Sequence, residues 1–196
     1  MITNSVPTQP TQCDNPVSDI PTIFYHGRIC REKGVLELVQ ALERLQDIPF
    51  HLVLAGTVAS NFAQTWNSYL EQSPISTRVT CLGFRTDIQS LIKQYQIGVL
   101  PSIVPEACPL SLLENMALGL PTICSDNGSQ VEFIQDGHNG MLCAPLDKQR
   151  WSDALRRLLT DKELRNSLAQ QAQKDFFEKH TYTQFIEQMK TIYGIK

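Results

Sequence analysis

Two cations and two carboxylates stand out in this chain for their spacing. Arg28 and Lys33 lie five residues apart in the segment GRICREKG, bounded by Gly27 and Gly34. Cations beside a helix N-terminus make an anion site, because the free N–H groups and the helix dipole add to the side-chain charge. Arginine offers a planar fork and lysine a mobile point charge, a pair suited to a diphosphate. The alternative is two solvated charges with Arg31 and Glu32 as surface neighbours. Glu106 and Glu114 lie in PSIVPEACPLSLLENMALGLP, residues 101–121, with seven residues between them. Helix phase alone would set them about 80° apart. With Glu106 in a loop ahead of the helix, both carboxylates can face one crevice, and two such acceptors suit the hydroxyls of a polyol. The alternative is a capping carboxylate and a surface glutamate.

The elements that must position these residues alternate between strand and helix. TIFYHG (22–27) reads as a short strand that ends at the first cation-bearing loop. Val35, Leu38, Leu42 and Leu45 recur at helical spacing, which predicts a helix over about 34–47. Further strands are expected at 50–56, 78–83, 97–102, 120–125 and 140–145. Helices are expected at about 60–72, from Thr86 as N-cap through Tyr95, and from Pro109 through Ala117 to Gly119. Ser129 and Glu132 have the spacing of a capping box, and so do Thr181 and Gln184. Closing helices are expected at about 147–159, 161–178 and 183–193, the last with an apolar stripe of Phe185, Met189 and Ile192. Such alternation means a mainly parallel, doubly wound sheet of about six strands with helices on both faces. Ligands then bind at the carboxyl ends of strands where the strand order reverses, which singles out the loops after the first and fourth strands.

Composition narrows the function classes. Of the 196 residues, 42% are hydrophobic and 19% charged, and the net charge is −3. This is a globular domain with no general affinity for nucleic acid or anionic membrane. Residues 1–20, with Pro7, Pro10 and Pro16 among polar residues, read as a flexible lead-in or interdomain linker ahead of one domain at 21–196. The six cysteines, Cys13, Cys30, Cys81, Cys108, Cys124 and Cys143, form no C-x-x-C pair and fit no zinc pattern. Those in apolar runs, Cys81, Cys124 and Cys143, are expected to be small buried hydrophobes in a reducing cytoplasm. No signal peptide and no transmembrane segment is read; peripheral membrane contact is left open. His26 ends a strand and reads as structural. Cys108 lies near the expected site but, without a paired base, is a weak nucleophile candidate.

Taken together, G-R-x4-K-G after the first strand, P-S-x3-E-x7-E-x-M-A-x-G-x-P, and a glycine-containing loop with Glu132 and D-G-x-N-G resemble the C-terminal domain of a retaining glycosyltransferase of family 4, of GT-B fold. The resemblance covers about residues 21–196. It implies a Rossmann-like domain that binds a nucleotide-activated sugar. Arg28 and Lys33 match positions that hold the donor diphosphate. Glu106 matches the glutamate beside the transferred sugar, and Glu114 the one that bonds the ribose. The backbone at Pro109 and Leu110 would lie near phosphates and sugar, and the loop from Gly83 to Arg85 near the base. The resemblance also implies Glu106, Arg28 and Lys33 as the catalytic set, retention at the anomeric carbon, no cofactor and no required metal. Where the family commonly has Phe-Gly, this chain has Cys108-Pro109, and proline has no N–H to offer. An N-terminal glycosyltransferase domain, on the same chain or as a separate subunit, is the implied partner. The competing reading is a non-catalytic module that binds a nucleotide-sugar or docks a partner. A dinucleotide-dependent dehydrogenase is disfavoured, since no G-x-G-x-x-G follows a strand.

Overall fold

Short apolar runs alternating with amphipathic stretches give a six-stranded parallel sheet. The computed structural model describes residues 5–6 and 20–194; the lead-in expected at residues 1–20 thus falls almost wholly outside the described residues, and so does Cys13. The strands are β1 (Thr22–His26), β2 (His51–Ala55), β3 (Val79–Gly83), β4 (Ile97–Leu100), β5 (Thr122–Ser125) and β6 (Met141–Cys143). Between them run α1 (Val35–Leu42), α2 (Ala63–Gln72), α3 (Ile88–Ile92), α4 (Leu110–Ala117) and α5 (Gln130–Phe133). After the sheet come α6 (Lys148–Thr160), α7 (Lys162–Lys179) and α8 (Tyr182–Tyr193). The order across the sheet is β3-β2-β1-β4-β5-β6, with every pairing parallel. The order reverses between β1 and β4, so the switch point falls on the two loops singled out in the sequence.

Alternate strand residues point to opposite faces, and each face has its own cover. Ile23 and Tyr25 of β1 join Leu52 and Leu54 of β2 in a cluster with Val35 and Leu38 of α1 and Trp151 and Leu155 of α6. Phe24 and Val53 point the other way, into Leu91 and Ile92 of α3 and Leu118 and Leu120. Beside them Leu100 and Cys124 pack with Leu112, Leu113 and Met116 of α4 and Phe176 of α7. Each fully buried Leu, Ile or Phe contributes about 1.5–3 kcal/mol, so the sheet is anchored on both sides.

Local side-chain caps set the starts of the three closing helices. The Asp147 and Asp161 carboxylates accept from the backbone N–H of Arg150 and Leu164, which caps α6 and α7. Thr181 and Gln184 form the expected capping box of α8. Three expectations fail. Thr86 does not cap α3; Asp87 takes that position, and its carboxylate is drawn to Arg85 instead of the helix N–H groups. Ser129 stands at the N-cap of α5, but its hydroxyl caps nothing and Glu132 closes no box with it. Cys81 is exposed, unlike Cys30, Cys124 and Cys143, because β3 is an edge strand paired only to β2. The first helix also ends early, giving way to a 3-10 turn at Glu43–Leu45.

Helix α8 differs from the others in having no buried residue. Phe185 and Met189 of its stripe are half-buried and Ile192 is exposed, so the stripe is not sunk into this domain's core.

Candidate functional site

A cleft of about 460 Å³ opens at the carboxyl ends of β1, β2 and β4. From β1 and the loop after it come Tyr25, His26, Arg28 and Lys33. Opposite them stand Ser102 and Glu106 after β4, Ser111 at the start of α4, and Phe84 and Arg85 after β3.

Glu106 is held at both carboxylate oxygens. Lys33 Nζ lies 2.6 Å from Oε2, and the Ser102 hydroxyl donates to Oε1. The pair joins residues 73 apart in sequence and is mostly shielded from water, where a charge-assisted bond is stronger than at the surface. Lysine has three N–H donors, so two remain for a further anion. Arg28 is exposed and, among the described residues, has no carboxylate within ion-pair distance. Its own backbone is tied down: the Tyr25 hydroxyl donates to the Arg28 carbonyl at 2.5 Å. Burial pushes the Tyr25 phenol well above its ordinary range, which keeps that donor proton in place.

Two neighbouring loops clamp the segment that carries Glu106. On one side Ile103 N–H donates to the Glu32 carbonyl at 2.8 Å. On the other, Asn127 Nδ2 donates to the carbonyls of Ser102 and Ile103 at 3.2 and 3.0 Å. Ser129 N–H donates to the Glu106 carbonyl at 2.9 Å. Gly128, between them, has a φ of +59° and lies so close that an added Cβ would stand 2.4 Å from Glu106 N and 2.6 Å from its O. Only glycine fits that contact and that conformation without strain.

Glu114 is not in the wall of the cleft itself. It sits three residues after Ser111 on the same face of α4, and its Oε2 is 3.6 Å from Nδ1 of His26. Burial raises the Glu114 carboxyl above its ordinary value. A carboxyl whose folded pKa is raised contributes stability that is present below its unfolded pKa and lost as pH rises through the folded one. At about pH 7 the ionised group therefore costs stability. Glu114→Gln should raise Tm near neutrality, and the gain should shrink toward about pH 4, below the ordinary glutamate value, where the carboxyl is mostly protonated folded and unfolded. Melting curves at both pH values check this; a lower Tm at neutral pH would contradict it.

The remaining residues singled out in the sequence fall as follows. Arg85 lines the cleft with its guanidinium in a two-bond pair to Asp87, at 2.8 and 2.6 Å. Gly83 closes β3 just before it. Pro109 is buried at the N-cap of α4 and Leu110 is exposed in its first turn, so neither lines the cleft. Sequence reasoning gave no site role to His26 or Ser102, and reached Phe84 only as part of the loop from Gly83 to Arg85. Phe84 is 76% exposed although aromatic, and it stands in the cleft wall beside Ile88. A polar environment forced onto a large ring is a signal that the sequence alone does not carry. Among the described residues no group of His, Cys, Asp and Glu is placed to hold a metal ion, and no helix is long and apolar enough to cross a membrane.

Comparison with known proteins gives a consistent picture. The family described as "Glycosyl transferases group 1" matches residues 14–175. The putative glycosyltransferase EpsD of Bacillus subtilis is 31% identical over 177 residues, which is 88% of this chain and 45% of that protein. Among solved structures, HepE from Anabaena in complex with UDP and glucose superposes with a TM-score of 0.85 at 21% identity, over 90% of this chain and 48% of that one. The C-terminal domain of a group 1 glycosyl transferase, LpcC, from Francisella tularensis gives a TM-score of 0.75 at 25% identity, covering 83% of this chain and 89% of that one. The chain spans about half the length of the curated relatives it matches.

Proposed function

We propose that this chain, which belongs to the group 1 glycosyltransferase family, is the donor-binding half of a GT-B transferase of the retaining, family 4 kind. In this reading the cleft holds a nucleotide-activated sugar. The observation that carries it is the joining of Lys33 to Glu106 across the switch point, at 2.6 Å, with the Arg28 guanidinium beside them and no carboxylate within ion-pair distance of it among the described residues. A sugar diphosphate has an anionic part and a polyol part, and the cleft offers cations and an oriented carboxylate side by side.

Arg28 and the two spare N–H donors of Lys33 take the diphosphate. As the glycosidic bond to it breaks, negative charge grows on the leaving oxygen, and fixed cations stabilise that charge without reorganising. No metal is required for this step. Glu106, fixed by Ser102 and Lys33, accepts from sugar hydroxyls. Glu114 accepts from the ribose, and the loop from Gly83 to Arg85 with the Phe84 ring lies against the base. Pro109 and Leu110 lie outside the wall of the cleft, and Pro109 has no N–H to donate to a phosphate. The acceptor is held by an N-terminal half, on the same chain or a separate one.

The test is a titration of the purified chain with UDP-, GDP- and ADP-glucose, using melting-temperature shifts to find the base it accepts. Arg28→Ala and Lys33→Ala should each weaken that donor by about 1.5–3 kcal/mol, the scale of a hydrogen bond to a charged group. Equal affinity for wild type and both variants would place the donor elsewhere.

A further inference from the structure

Behind Glu114 runs a chain of buried polar groups with a defined direction. The Thr122 hydroxyl donates its one proton to the Leu120 carbonyl at 2.9 Å. The same oxygen therefore accepts from Asn115 Nδ2, 3.2 Å away. That orients the Asn115 amide, so its Oδ1 faces Nε2 of His26 at 2.9 Å. An amide oxygen only accepts, so Nε2 carries a proton. The nitrogen left to gain or lose a proton is Nδ1, and it faces Glu114 Oε2 at 3.6 Å. A bare imidazole lone pair and an ionised carboxylate facing each other repel; one proton between them removes the repulsion.

We propose that His26 is a positioning residue for Glu114: near neutral pH its bare Nδ1 leaves the Glu114 carboxylate free for the ligand, and as the pH falls the two take up one proton in common between Nδ1 and Oε2, which turns that oxygen inward and away from the ligand. The inference rests on the donor-site reading in one respect, that Glu114 meets the ribose.

The surroundings fit a shared proton. His26 is 8% exposed, and burial, the largest influence, holds its imidazole below the ordinary value. Asn115 and the Ser111 carbonyl on α4 act in the opposite direction. On β1 the Phe24 ring stacks on His26, and Tyr95, from the segment after α3, stacks on Phe24 in turn. Burial keeps the Tyr95 phenol above its ordinary value, hence uncharged, and the nearby Arg85 and Asp87 neutralise each other. Ala55 on the neighbouring strand β2 is apolar. Glu114 is the one carboxylate within ion-pair distance of His26 among the described residues. As pH falls from neutral, the pair takes up its proton and Glu114 loses acceptor strength toward a ribose diol.

Histidine 15N NMR of the whole chain, followed over about pH 5 to 8, reads the proton directly. The expected result is the Nε2–H tautomer at neutral pH, with proton affinity at His26 falling by about tenfold in Glu114→Gln, which removes the opposing charge. An Nδ1–H tautomer, or the same titration in wild type and Glu114→Gln, would overturn the inference. A second arm titrates UDP-, GDP- and ADP-glucose, whose diphosphate diesters do not themselves titrate in this range. Wild type should bind its donor several-fold more weakly at about pH 5.5 than at about pH 8, and His26→Gln should flatten that dependence. An unchanged pH profile in His26→Gln denies the positioning role. If wild type binds none of the three, the donor reading fails and the positioning role with it, while the NMR result still decides whether the proton is shared.

Discussion

Gly128→Ala should lower the melting temperature by about 5–15 °C and remove measurable donor binding. The new methyl would stand 2.4 Å from Glu106 N and 2.6 Å from its O, at a φ of +59°. An L-residue in that conformation costs about 1–2 kcal/mol, and overpacking adds about 1–3 kcal/mol. For a domain of this size each kcal/mol moves Tm by about 2–4 °C. Neither neighbour can yield cheaply, because both are backbone atoms of the segment that carries the ion-paired carboxylate. That segment must therefore shift, and Glu106 leaves the geometry set by Ser102 and Lys33. Gly137→Ala is the control. It has a similar φ of +73° but nothing within 4 Å, so it should show the conformational cost alone. Melting curves and a donor titration on both variants decide the matter; equal behaviour would show that the close contact at Gly128 carries no function.

A polypeptide of these 196 residues, expressed alone, should bind donor yet transfer no sugar above background. In the donor-half reading one wall of the cleft belongs to another domain. Holding two reactants in place supplies about 7–11 kcal/mol of a typical barrier, and a lone donor half forgoes that entirely. Helix α8 points the same way: with no buried residue and Ile192 and Tyr193 both about two-thirds exposed, its stripe is left over once the domain's own core is complete. Supplying a matching N-terminal half should restore product and lower the solvent exposure of α8 in hydrogen exchange. Product from the monomer alone would overturn the need for a second wall. Donor binding with no product even after the halves are joined would favour the non-catalytic module.

The sequence made the scaffold legible because its signals are local. Val35, Leu38 and Leu42 could only be one face of a helix, and the runs at 22–27 and 50–56 could only be buried strands. From their order came the sheet, and from the sheet the switch point where Arg28, Lys33 and Glu106 meet. What stayed hidden depends on partners far away in the chain. Nothing in the spacing of Lys33 and Glu106 says that they pair with each other. His26 read as structural because Asn115 and Glu114, which give it a role, approach only when α4 packs on β1. The apolar run around Cys81 looked buried because a sequence does not say which strand will be the sheet's edge. Ser129 had the spacing of a capping box, but Gly128 and Ser129 are held by the Glu106 segment, and tertiary packing overrode the local motif.

The position of β1 also bears on how the chain acquires its fold during synthesis. Ile23 pairs on one side with Leu52 and on the other with Ile97. The strand at the centre of the sheet is thus the first to be made, and one of its edges finds a partner only after β2 and β3 have both emerged. Parallel pairing across such separations is slow, and an unpaired strand edge is a template for association with other chains. While the ribosome makes the stretch from β2 to β4, the nascent chain carries its own innermost strand half open, which is the interval in which a chaperone would have something to hold.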